Sequence, residues 1–396
     1  MAQRPPRVMI VAGEASGDAH AARLVAALNE RCPDAEFFGS AGPRMRDRGV
    51  EAVVEADALS IVGLAEIGRA LPMFLKAMRK LRIAADERRP DIAILVDFPD
   101  FNLKLARHLK RAGIKVVYYI SPQLWAWRRY RISIIRKYVD LLLTILPFEK
   151  DWYAARGVEH VEYVGNPLVN DVRASATRAD FCRDHGLDPQ RPLVALLPGS
   201  RQKEIARILP ILLKGARLLR RDFPDVQFII PLADDRHARS VAKTMDESET
   251  NARVVTGETY DALAASDAAA VTSGTATLEA GILGTPMVVV YKTSAVNYKL
   301  LEPMIDVPHY GLINLIAGER LATELIQSDL TAEKLSGELA RLLDPKTNAS
   351  MRTRLAETAA KLGQGGASKR AANAILTLLD QAQFDRPNPT SSTPAA

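Results

Sequence analysis

Cysteines and long apolar runs are scarce in this chain of 396 residues. Its two cysteines, Cys32 and Cys182, lie far apart without a CxxC pair or a ladder of spacings. This argues against a disulfide framework and a thiolate zinc site, and it favours a reducing compartment. No apolar run approaches the roughly 18 residues that a membrane span needs, so we expect a soluble or peripheral protein.

Metal-binding patterns are also missing. The six histidines are not paired at ligand spacing, there is no HExxH motif, and no DxD pair closes a predicted strand. We therefore expect neither a metal nor a cofactor. The chain has 53 lysines and arginines against 47 acidic residues, and the net charge of +6 is compatible with phosphate ligands or an anionic membrane surface. With 47% hydrophobic and 25% charged residues, the composition excludes a disordered, collagen-like or coiled-coil protein.

Short apolar runs alternate with amphipathic helical stretches, which predicts parallel sheets covered by helices on both faces. The fold class expected is α/β, with two doubly wound, Rossmann-like domains. The last helical pattern is a candidate to pack across the domain junction, or to be exchanged between the subunits of a homodimer. The boundaries expected are an N-terminal domain over 1–170, a linker over 171–191, a C-terminal domain over 192–366, a helix over 367–383 and a disordered tail over 384–396.

The segment GEASGD, residues 13–18, joins a buried strand to a helix. In an open parallel sheet, ligands bind at the carboxyl ends of strands, where this loop lies, so Glu14 and Ser16 are candidate ligand contacts. The loop matches neither GxGxxG nor a Walker loop. The alternative is a tight turn in which Ser16 or Asp18 caps the helix.

The segment DFPDFN places Asp97 at the carboxyl end of the buried strand IAILV, with Asp100 just before a helix. Asp100 is predicted to cap that helix. A carboxylate at the end of a doubly covered strand is partly desolvated, which raises its pKa and makes it a better general base. Asp97 is thus a candidate catalytic base. The alternative is an aspartate that only stabilises the turn before Pro99.

In LLPGSRQKE, Gly199 and Ser200 join a strand to a helix whose first turn is predicted to contain Arg201 and Lys203. The helix dipole disfavours a cation there by roughly half a kcal/mol, and a bound anion would reverse that sign. We therefore predict a diphosphate site at Ser200 and Arg201. The alternative is a solvated surface arginine.

The segment TSGTATLEAGILGTP repeats this pattern of strand, turn and helix later in the same domain. Ser273 and Gly274 form the turn, and Thr275 and Thr277 are candidate caps or phosphate contacts. Glu279 either favours the helix dipole or accepts hydrogen bonds from the ribose of a bound nucleotide. Two such turns in one domain predict a nucleotide site more specifically than either alone.

An amphipathic segment lies between residues 59 and 89, with apolar residues at helical spacing and basic residues between them. Leu71, Phe74, Leu75 and Met78 belong to its apolar stripe. The ordinary interpretation is a core-facing helix with a solvated basic face. The alternative is a segment that lies on an anionic membrane or accepts acyl chains, with these four residues facing the lipid.

A second basic segment, WAWRRYRISIIRK over residues 125–137, holds two tryptophans and five cations without an acidic residue. The chain has no recognised nucleic-acid-binding motif, so we expect no nucleic acid partner. The segment instead favours membrane headgroups or a phosphorylated acceptor.

Eight ordered motifs resemble those of the lipid-A-disaccharide synthases. These are glycosyltransferases of the GT-B architecture, in which two Rossmann-like domains face a central cleft. The resemblance covers about residues 7–379. The motifs are GEASGD, AGPRM, DFPDFN, SPQLWAWR, LPFEK, LLPGSR, SGTATLE and INL.

The resemblance implies an inverting, metal-independent transfer of 2,3-diacylglucosamine from its UDP ester to the 6-hydroxyl of 2,3-diacylglucosamine 1-phosphate. The product would be a β-1,6-linked tetra-acyl disaccharide 1-phosphate, with UDP released. The roles implied are a general base at Asp97, a diphosphate site at Ser200, Arg201 and the 273–277 turn, a ribose contact at Glu279, and further donor contacts at Asn314, Glu14 and Ser16.

The resemblance also implies a peripheral protein on the inner face of the inner membrane, because both substrates carry acyl chains. The segment around Phe74 would then face lipid. Two alternatives stay open. Another GT-B enzyme, such as a UDP-sugar 2-epimerase, would share the second-domain motifs without needing the basic amphipathic segment. A nucleotide-binding regulator would bind UDP and tolerate the loss of Asp97.

Overall fold

The computed structural model describes residues 4–56, 67–248, 251–301, 305 and 307–384 of the chain. The chain divides into two compact units. The first runs to Pro167 and resumes at Gly365, and the second runs from Leu168 to Gln364. Each unit is built on one parallel sheet with helices packed against it. The expected α/β class is therefore confirmed.

The first unit contains a seven-stranded sheet in the order β3-β2-β1-β4-β5-β6-β7, with parallel pairing between all neighbours. The order reverses between β1 and β4, and ligands bind at such a switch point in open α/β sheets. GEASGD follows β1, and DFPDFN follows β4. The strands are β1 Arg7–Val11, β2 Glu36–Ala41, β3 Glu51–Glu55, β4 Ile92–Val96, β5 Lys115–Tyr119, β6 Leu141–Thr144 and β7 Val161–Tyr163.

Helices cover both faces of this sheet. On one face Ile94 of β4 lies in a buried cluster with Leu24, and on the other Leu95 lies in a cluster with Leu105. All five residues of β4 are buried for this reason, as its unbroken apolar sequence predicted. The helices before the chain leaves this unit are α1 Ala15–Asn29, α2 Pro43–Arg46, α3 Ile67–Arg88, α4 Pro99–Arg111, α5 Ile132–Tyr138 and α6 Glu149–Ala154.

The second unit contains a six-stranded parallel sheet in the order β10-β9-β8-β11-β12-β13. Its order reverses between β8 and β11, and the LLPGSR and SGTATLE segments follow these two strands. The strands are β8 Leu193–Leu197, β9 Gln227–Leu232, β10 Arg253–Thr256, β11 Ala268–Thr272, β12 Met287–Tyr291 and β13 Glu324–Ile326. The helices are α7 Leu168–Asp171, α8 Arg178–Asp184, α9 Gln202–Asp222, α10 Ala238–Ser248, α11 Thr259–Ala265, α12 Ala276–Ile282, α13 Ala295–Leu301, α14 Leu312–Ala317, α15 Ala332–Leu343 and α16 Pro345–Ala360.

The C-terminal helix, α17 Ala367–Phe384, belongs to the first unit and packs against α1. Its buried residues Ala371, Ile375 and Leu379 are spaced four apart, which places them on one face. Arg370 Nε also donates to the carbonyl of Val164 at 2.8 Å. Phe384 ends this helix, and the rest of the expected tail, residues 385–396, lies outside the described residues.

The stretch 171–191 is part of the second unit, so the expectation that it is a linker is wrong. Helix α8 in this stretch buries Phe181 and Cys182. Arg178 donates to both carboxylate oxygens of Asp267, at 2.8 and 2.9 Å. A planar guanidinium can donate to both oxygens of a carboxylate. Arg178, one of the polar residues that made this stretch look like a linker, therefore holds it to the second unit.

Candidate functional site

The chain turns sharply after β4, at Asp97 and Phe98. Both residues have left-handed backbone angles, with φ values of 48° and 50°. Each costs about 1–2 kcal/mol in this conformation, so two in succession persist only where surrounding contacts hold them. The turn leads directly into α4, which begins at Pro99, and it leaves Asp97 at the carboxyl edge of the sheet.

Two buried side chains hold the carbonyl oxygen of Asp97. The Tyr118 hydroxyl donates to it at 2.6 Å, and Asn102 Nδ2 donates to it at 2.8 Å. Asn102 Nδ2 also donates to the carbonyl of Val96 at 3.2 Å. Tyr118 and Asn102 are fully buried, where water competes little for these bonds. Sequence reasoning missed both residues, because Tyr118 lies in an apolar strand and Asn102 in an ordinary helical pattern.

The ring of Phe98 belongs to an aromatic cluster. Its centroid lies 5.5 Å from that of Phe101 and 6.0 Å from that of Phe74. It also covers Gly13 so closely that a Cβ there would lie 2.2 Å from a ring carbon. Only glycine fits at this position of GEASGD, and the contact joins the two loops that flank the switch point.

The Asp97 side chain is half-buried beside Glu14. The pKa of the Asp97 carboxyl is raised to about 6, chiefly by burial and also by the negative charge of Glu14, while a hydrogen bond from the backbone of Phe98 opposes the rise. At neutral pH this group is mostly ionised and yet more basic than an ordinary aspartate. These properties suit a general base, and the rise is the one expected for a carboxylate at the end of a covered strand.

Glu14 and Ser16 lie at the exposed start of α1. Glu14 precedes the helix, and its side chain makes no capping bond. The alternative of a cap from Ser16 or Asp18 is wrong. Asp18 is buried, and its carboxylate accepts the backbone N–H groups of Gly42 at 2.9 Å and Met45 at 3.2 Å. Asp18 therefore holds the start of α2, in the AGPRM motif, where free N–H groups need an acceptor.

Asp100 does not cap α4, contrary to expectation. The helix begins one residue earlier, and the Asp100 carboxylate accepts hydrogen bonds from Arg128 at 2.8 Å and from Arg131. Burial would raise the pKa of Asp100, but its bonds to the two guanidinium groups lower it overall. Part of the basic segment after β5 is thus anchored beside the Asp97 turn.

A buried glutamate joins two of the motifs at this edge of the sheet. Glu149 of LPFEK accepts a hydrogen bond from Trp125 Nε1 of SPQLWAWR at 3.0 Å. It also accepts the backbone N–H groups of Ile145 and Leu146 at 3.2 and 3.0 Å. Burial raises the pKa of Glu149 to about 7 against the effect of these bonds. Its contacts fix the loops after β5 and β6, a role that the sequence pattern did not indicate.

In the second unit, the loop after β8 presents Ser200 and Arg201 to solvent. Arg201 was expected in the first turn of α9, but it is the N-cap residue that precedes this helix. Its guanidinium pairs with Glu204 at 3.0 Å, and a Cβ on Gly199 would lie 2.7 Å from the same carboxylate. The Arg201 side chain is 76% exposed, and such a pair contributes about 0–1 kcal/mol. An arriving anion can therefore compete for the guanidinium.

The turn after β11 divides the predicted phosphate contacts into exposed and buried ones. Gly274 has a φ of 146°, and Thr275 is exposed. The Ser273 hydroxyl donates to the carbonyl of Tyr310 at 2.7 Å. Thr277 is fully buried, and its hydroxyl donates to the carbonyl of Gly274 at 2.8 Å. The expectation that the Thr277 hydroxyl contacts phosphate is corrected, because this hydroxyl closes the turn.

Glu279 follows in α12 as a half-buried carboxylate, and burial raises its pKa. Tyr291, at the end of the neighbouring strand β12, was missed by sequence reasoning. Burial raises the pKa of Tyr291, the charge of Glu204 adds to this, and Arg201 opposes it. Tyr291 therefore lies within electrostatic range of the pair on the loop after β8.

Asn314 is fully buried, and its side-chain amide is bonded at both ends. Nδ2 donates to the carbonyl of Ala322 at 2.8 Å and to Glu324 at 2.9 Å, while Oδ1 accepts the Ala322 N–H at 2.8 Å. Glu324 in turn accepts the backbone N–H groups of Tyr310 and Gly311 at 3.0 and 2.8 Å. No amide hydrogen is left for a ligand, so the expected donor contact is corrected to support of this loop.

The four apolar residues predicted to face lipid divide into two pairs on α3. Leu71 and Leu75 are 55% and 61% exposed. Phe74 is half-buried against Phe98, and Met78 is buried in the core. The lipid-facing expectation is wrong for Met78, and the core-facing interpretation holds for that part of the helix. Residues 59–66 of the amphipathic segment lie outside the described residues.

None of the helices in the described ranges is long and apolar enough to cross a membrane. In the same part of the chain, no group of three or more His, Cys, Asp or Glu side chains could hold a metal ion.

Known proteins resemble this chain over nearly its whole length. A sequence model of the family described as lipid-A-disaccharide synthetase matches residues 8–378. A lipid-A-disaccharide synthase from Trichlorobacter lovleyi is 43% identical over 379 residues, which cover 96% of this chain and 99% of that protein. One from Myxococcus xanthus is 44% identical over 376 residues, which cover 95% of this chain and 98% of that protein.

Solved structures of other enzymes share the fold at low identity. A UDP-N-acetylglucosamine 2-epimerase from Rickettsia bellii has a TM-score of 0.61 at 15% identity and covers 96% of this chain and 98% of its own. The calicheamicin glycosyltransferase has a TM-score of 0.60 at 14% identity and covers 96% of this chain and 99% of its own. These likenesses confirm the GT-B fold class and no more. The family match and the two relatives decide the rest: the chain belongs to the lipid-A-disaccharide synthetase family of glycosyltransferases.

Proposed function

We propose that this chain transfers 2,3-diacylglucosamine from UDP-2,3-diacylglucosamine to the 6-hydroxyl of 2,3-diacylglucosamine 1-phosphate, with inversion and without a metal. The products are a β-1,6-linked tetra-acyl disaccharide 1-phosphate and UDP. Membership of the family supports this choice of substrates. The observation that carries the chemistry is the half-buried Asp97 carboxylate, with its pKa near 6, on a strained turn at a switch point.

Asp97 acts as the general base. Its carboxylate accepts the proton of the 6-hydroxyl while O6 bonds to C1 of the donor sugar. The bond between C1 and the diphosphate oxygen breaks, and its electron pair leaves with UDP. Because O6 attacks the face opposite the diphosphate, the anomeric configuration inverts. General base catalysis of this kind contributes about 10²- to 10⁴-fold.

The second unit holds the donor nucleotide. Ser200 and Arg201 bind the diphosphate, because both are exposed and a guanidinium can donate two bonds to phosphate oxygens. The charge that develops on the departing diphosphate strengthens these bonds. Gly274 and Thr275 contact the same group, and Glu279 accepts hydrogen bonds from the ribose. Ser273, Thr277 and Asn314 support these loops from behind, through the hydrogen bonds described above.

The first unit meets the donor sugar and the acyl chains. Glu14 and Ser16 contact the sugar or diphosphate from the start of α1, where both are exposed. Leu71 and Leu75 face acyl chains at a membrane surface, since two neighbouring exposed leucines on one helix face suit an apolar partner. The protein works peripherally, on the inner face of the inner membrane.

The test is UDP release by the purified chain in detergent micelles containing EDTA, given UDP-2,3-diacylglucosamine with and without the acceptor. We expect release that requires the acceptor and survives the chelator. Asp97→Asn should abolish this release and leave UDP affinity within about twofold. Release without acceptor would instead indicate an epimerase-like or hydrolytic enzyme. UDP binding without any release would indicate a regulator and refute the proposal.

The donor site has a separate test in the affinity for UDP itself. Arg201→Ala should weaken UDP binding by about 10- to 100-fold, the effect of losing hydrogen bonds between charged groups. Lys203→Ala is the matched control, because Lys203 is an exposed cation on the same turn. Equal losses in the two variants would indicate general attraction by positive charge and remove Arg201 from the proposed role.

A further inference from the structure

A cationic loop lies beside the Asp97 turn and has no part in the reaction as described so far. We call residues 127–131 the arginine loop; they follow β5 and lead into α5. Strand β5 is hydrogen-bonded to β4, with Tyr119 opposite Val96. Because the two strands are parallel and end together, the chain leaves both at the same edge of the sheet.

The arginine loop places two guanidinium groups on one carboxylate. Arg128 and Arg131 share one carboxylate, that of Asp100, and Arg129 lies between them in sequence. No acidic residue occurs from 121 to 139. The Arg131 side chain is 14% exposed, whereas that of Arg128 is 28% exposed and that of Asp100 is 63% exposed. Arg131 thus anchors Asp100 from the protein side, and Arg128 is the more exposed guanidinium of the two that pair with Asp100.

One phenol connects this loop to the catalytic turn. The Tyr118 hydroxyl donates to the carbonyl of Asp97 at 2.6 Å. The charges of Asp97, Arg131 and Asp100 all act on this same hydroxyl. The two guanidinium groups pair with Asp100, three residues after Asp97, so they lie beside the turn that carries the base.

The arginine loop also presents aromatic surface. Trp127 and Tyr130 are among the exposed large hydrophobic residues of the described chain. The Arg128 guanidinium lies 4.2 Å from the centroid of the Trp127 ring, a distance at which a cation is attracted to an aromatic face. A guanidinium stacked over an exposed ring suits a ligand that brings an anionic group and an apolar ring face together, such as a sugar phosphate.

We propose that the arginine loop binds the 1-phosphate of the acceptor sugar, through Arg128, while Arg131 keeps Asp100 in place. This inference rests on the proposed function and assigns its acceptor subsite. A phosphate monoester carries about −1.5 to −2 charge at neutral pH and accepts paired bonds from a guanidinium. In the acceptor sugar, C1 and C5 both bond to the ring oxygen, and C5 carries the 6-hydroxyl through C6. The 1-phosphate and the 6-hydroxyl are therefore both at the ring-oxygen edge of the sugar, so a phosphate held at the arginine loop keeps the 6-hydroxyl near the Asp97 turn.

The experiment compares two acceptors, 2,3-diacylglucosamine 1-phosphate and the uncharged methyl glycoside of 2,3-diacylglucosamine, in neutral micelles. We expect Arg128→Gln to lower kcat/KM for the phosphorylated acceptor by about 10- to 100-fold, the effect of losing charge-assisted bonds. For the methyl glycoside, the loss should stay within about threefold. The matched control is Arg136→Gln, since Arg136 lies in the same basic segment and donates to the carbonyl of Arg156. This control should leave both acceptors unchanged.

Equal losses with the two acceptors would overturn the inference, because Arg128 would then only support the Asp97 turn. Equal kcat/KM values of the parent chain for the two acceptors would overturn it as well. If the parent chain turns over neither of the two acceptors, the proposed function is refuted, and the subsite with it. That failure is distinct from a failure of the subsite alone, in which the parent chain is active.

A membrane headgroup offers the same phosphate chemistry, and vesicles separate the two sources. We expect the parent chain and Arg128→Gln to bind phosphatidylglycerol vesicles equally, relative to phosphatidylcholine vesicles. If Arg128→Gln loses binding to phosphatidylglycerol and treats the two acceptors alike, the arginine loop is a headgroup contact and the proposal is wrong.

Discussion

Replacing Asp97 by asparagine is expected to stabilise the first unit while it abolishes turnover. The pKa of Asp97 rises from an ordinary value of 3.8 to about 6, chiefly through burial. One pKa unit is equivalent to about 1.4 kcal/mol, so the ionised carboxylate costs the folded chain up to about 3 kcal/mol at pH 8. Asparagine has nearly the same shape, tolerates the left-handed backbone and carries no charge, so it removes this cost.

The increase in the free energy of unfolding caused by Asp97→Asn should be larger at high pH than at low pH. A group whose pKa is higher in the folded chain destabilises it once both states are ionised, and not at all when both are protonated. The difference in free energy of unfolding between Asp97→Asn and the parent therefore approaches its maximum above pH 6 and vanishes below pH 4. At pH 5 we expect it to be about half of its value at pH 8.

Urea unfolding monitored by tryptophan fluorescence measures this difference in the relevant unit. All three tryptophans of the chain belong to the first unit. We expect a higher urea midpoint for Asp97→Asn at pH 8 and a smaller gap at pH 5. A midpoint at or below that of the parent at pH 8, or a gap that does not shrink with falling pH, would refute the argument from burial.

Asp91 provides a matched control at the other end of β4. It is also buried, but its carboxylate accepts hydrogen bonds from Arg4 at 2.9 Å and from the Arg7 backbone at 2.8 Å. Asp91→Asn removes a paired charge, so we expect it to lower the free energy of unfolding by about 1–3 kcal/mol. The two substitutions make the same chemical change with opposite expected signs, which separates the effect of pairing from that of burial.

Three further predictions concern the charge near the base, the support of the donor loops and the apolar surface. Glu14→Gln should move the acid limb of the kcat/KM profile to lower pH, because it removes a charge that raises the pKa of Asp97; an unchanged limb would contradict this. Asn314→Ala should lower the free energy of unfolding by about 1–3 kcal/mol in a circular dichroism titration, because it leaves buried polar groups unpaired; a neutral effect would show that the loop does not depend on it. Replacing Leu71 and Leu75 together by serine should change the free energy of unfolding by less than about 1 kcal/mol, since both are exposed. Co-sedimentation with vesicles should fall. Unchanged co-sedimentation would show that these leucines do not contact lipid.

The positions of the site loops could be predicted because they depend on local patterns. An unbroken apolar run followed by an acid identified Asp97 as the end of a covered strand, and its pKa is raised as that position requires. Arg201 and Glu204 lie three residues apart, a spacing that brings two side chains together at the start of a helix, so their pairing is also a local feature of the sequence.

The contacts that support the site could not be predicted in the same way. Tyr118 lies 21 residues from Asp97, and its hydrogen bond exists only because β5 pairs with β4. The resemblance implied that Asn314 contacts the donor substrate directly. In the structure its side chain is bonded to Glu324 across a loop instead. In both cases the partner is chosen by packing.

The sequence by itself determined the α/β class, the loops that follow the central strands, the candidate base and the family, because periodicity, strand ends and ordered motifs are properties of neighbouring residues. The tertiary structure decided which polar side chains remain open to a ligand. Arg128 and Arg201 pair with carboxylates but keep 28% and 76% of their side chains exposed, whereas Thr277 and Asn314 are fully buried and bonded within the protein. The physical reason is that burial and hydrogen-bond pairing depend on how each segment folds back and packs, which the type and spacing of the residues do not specify.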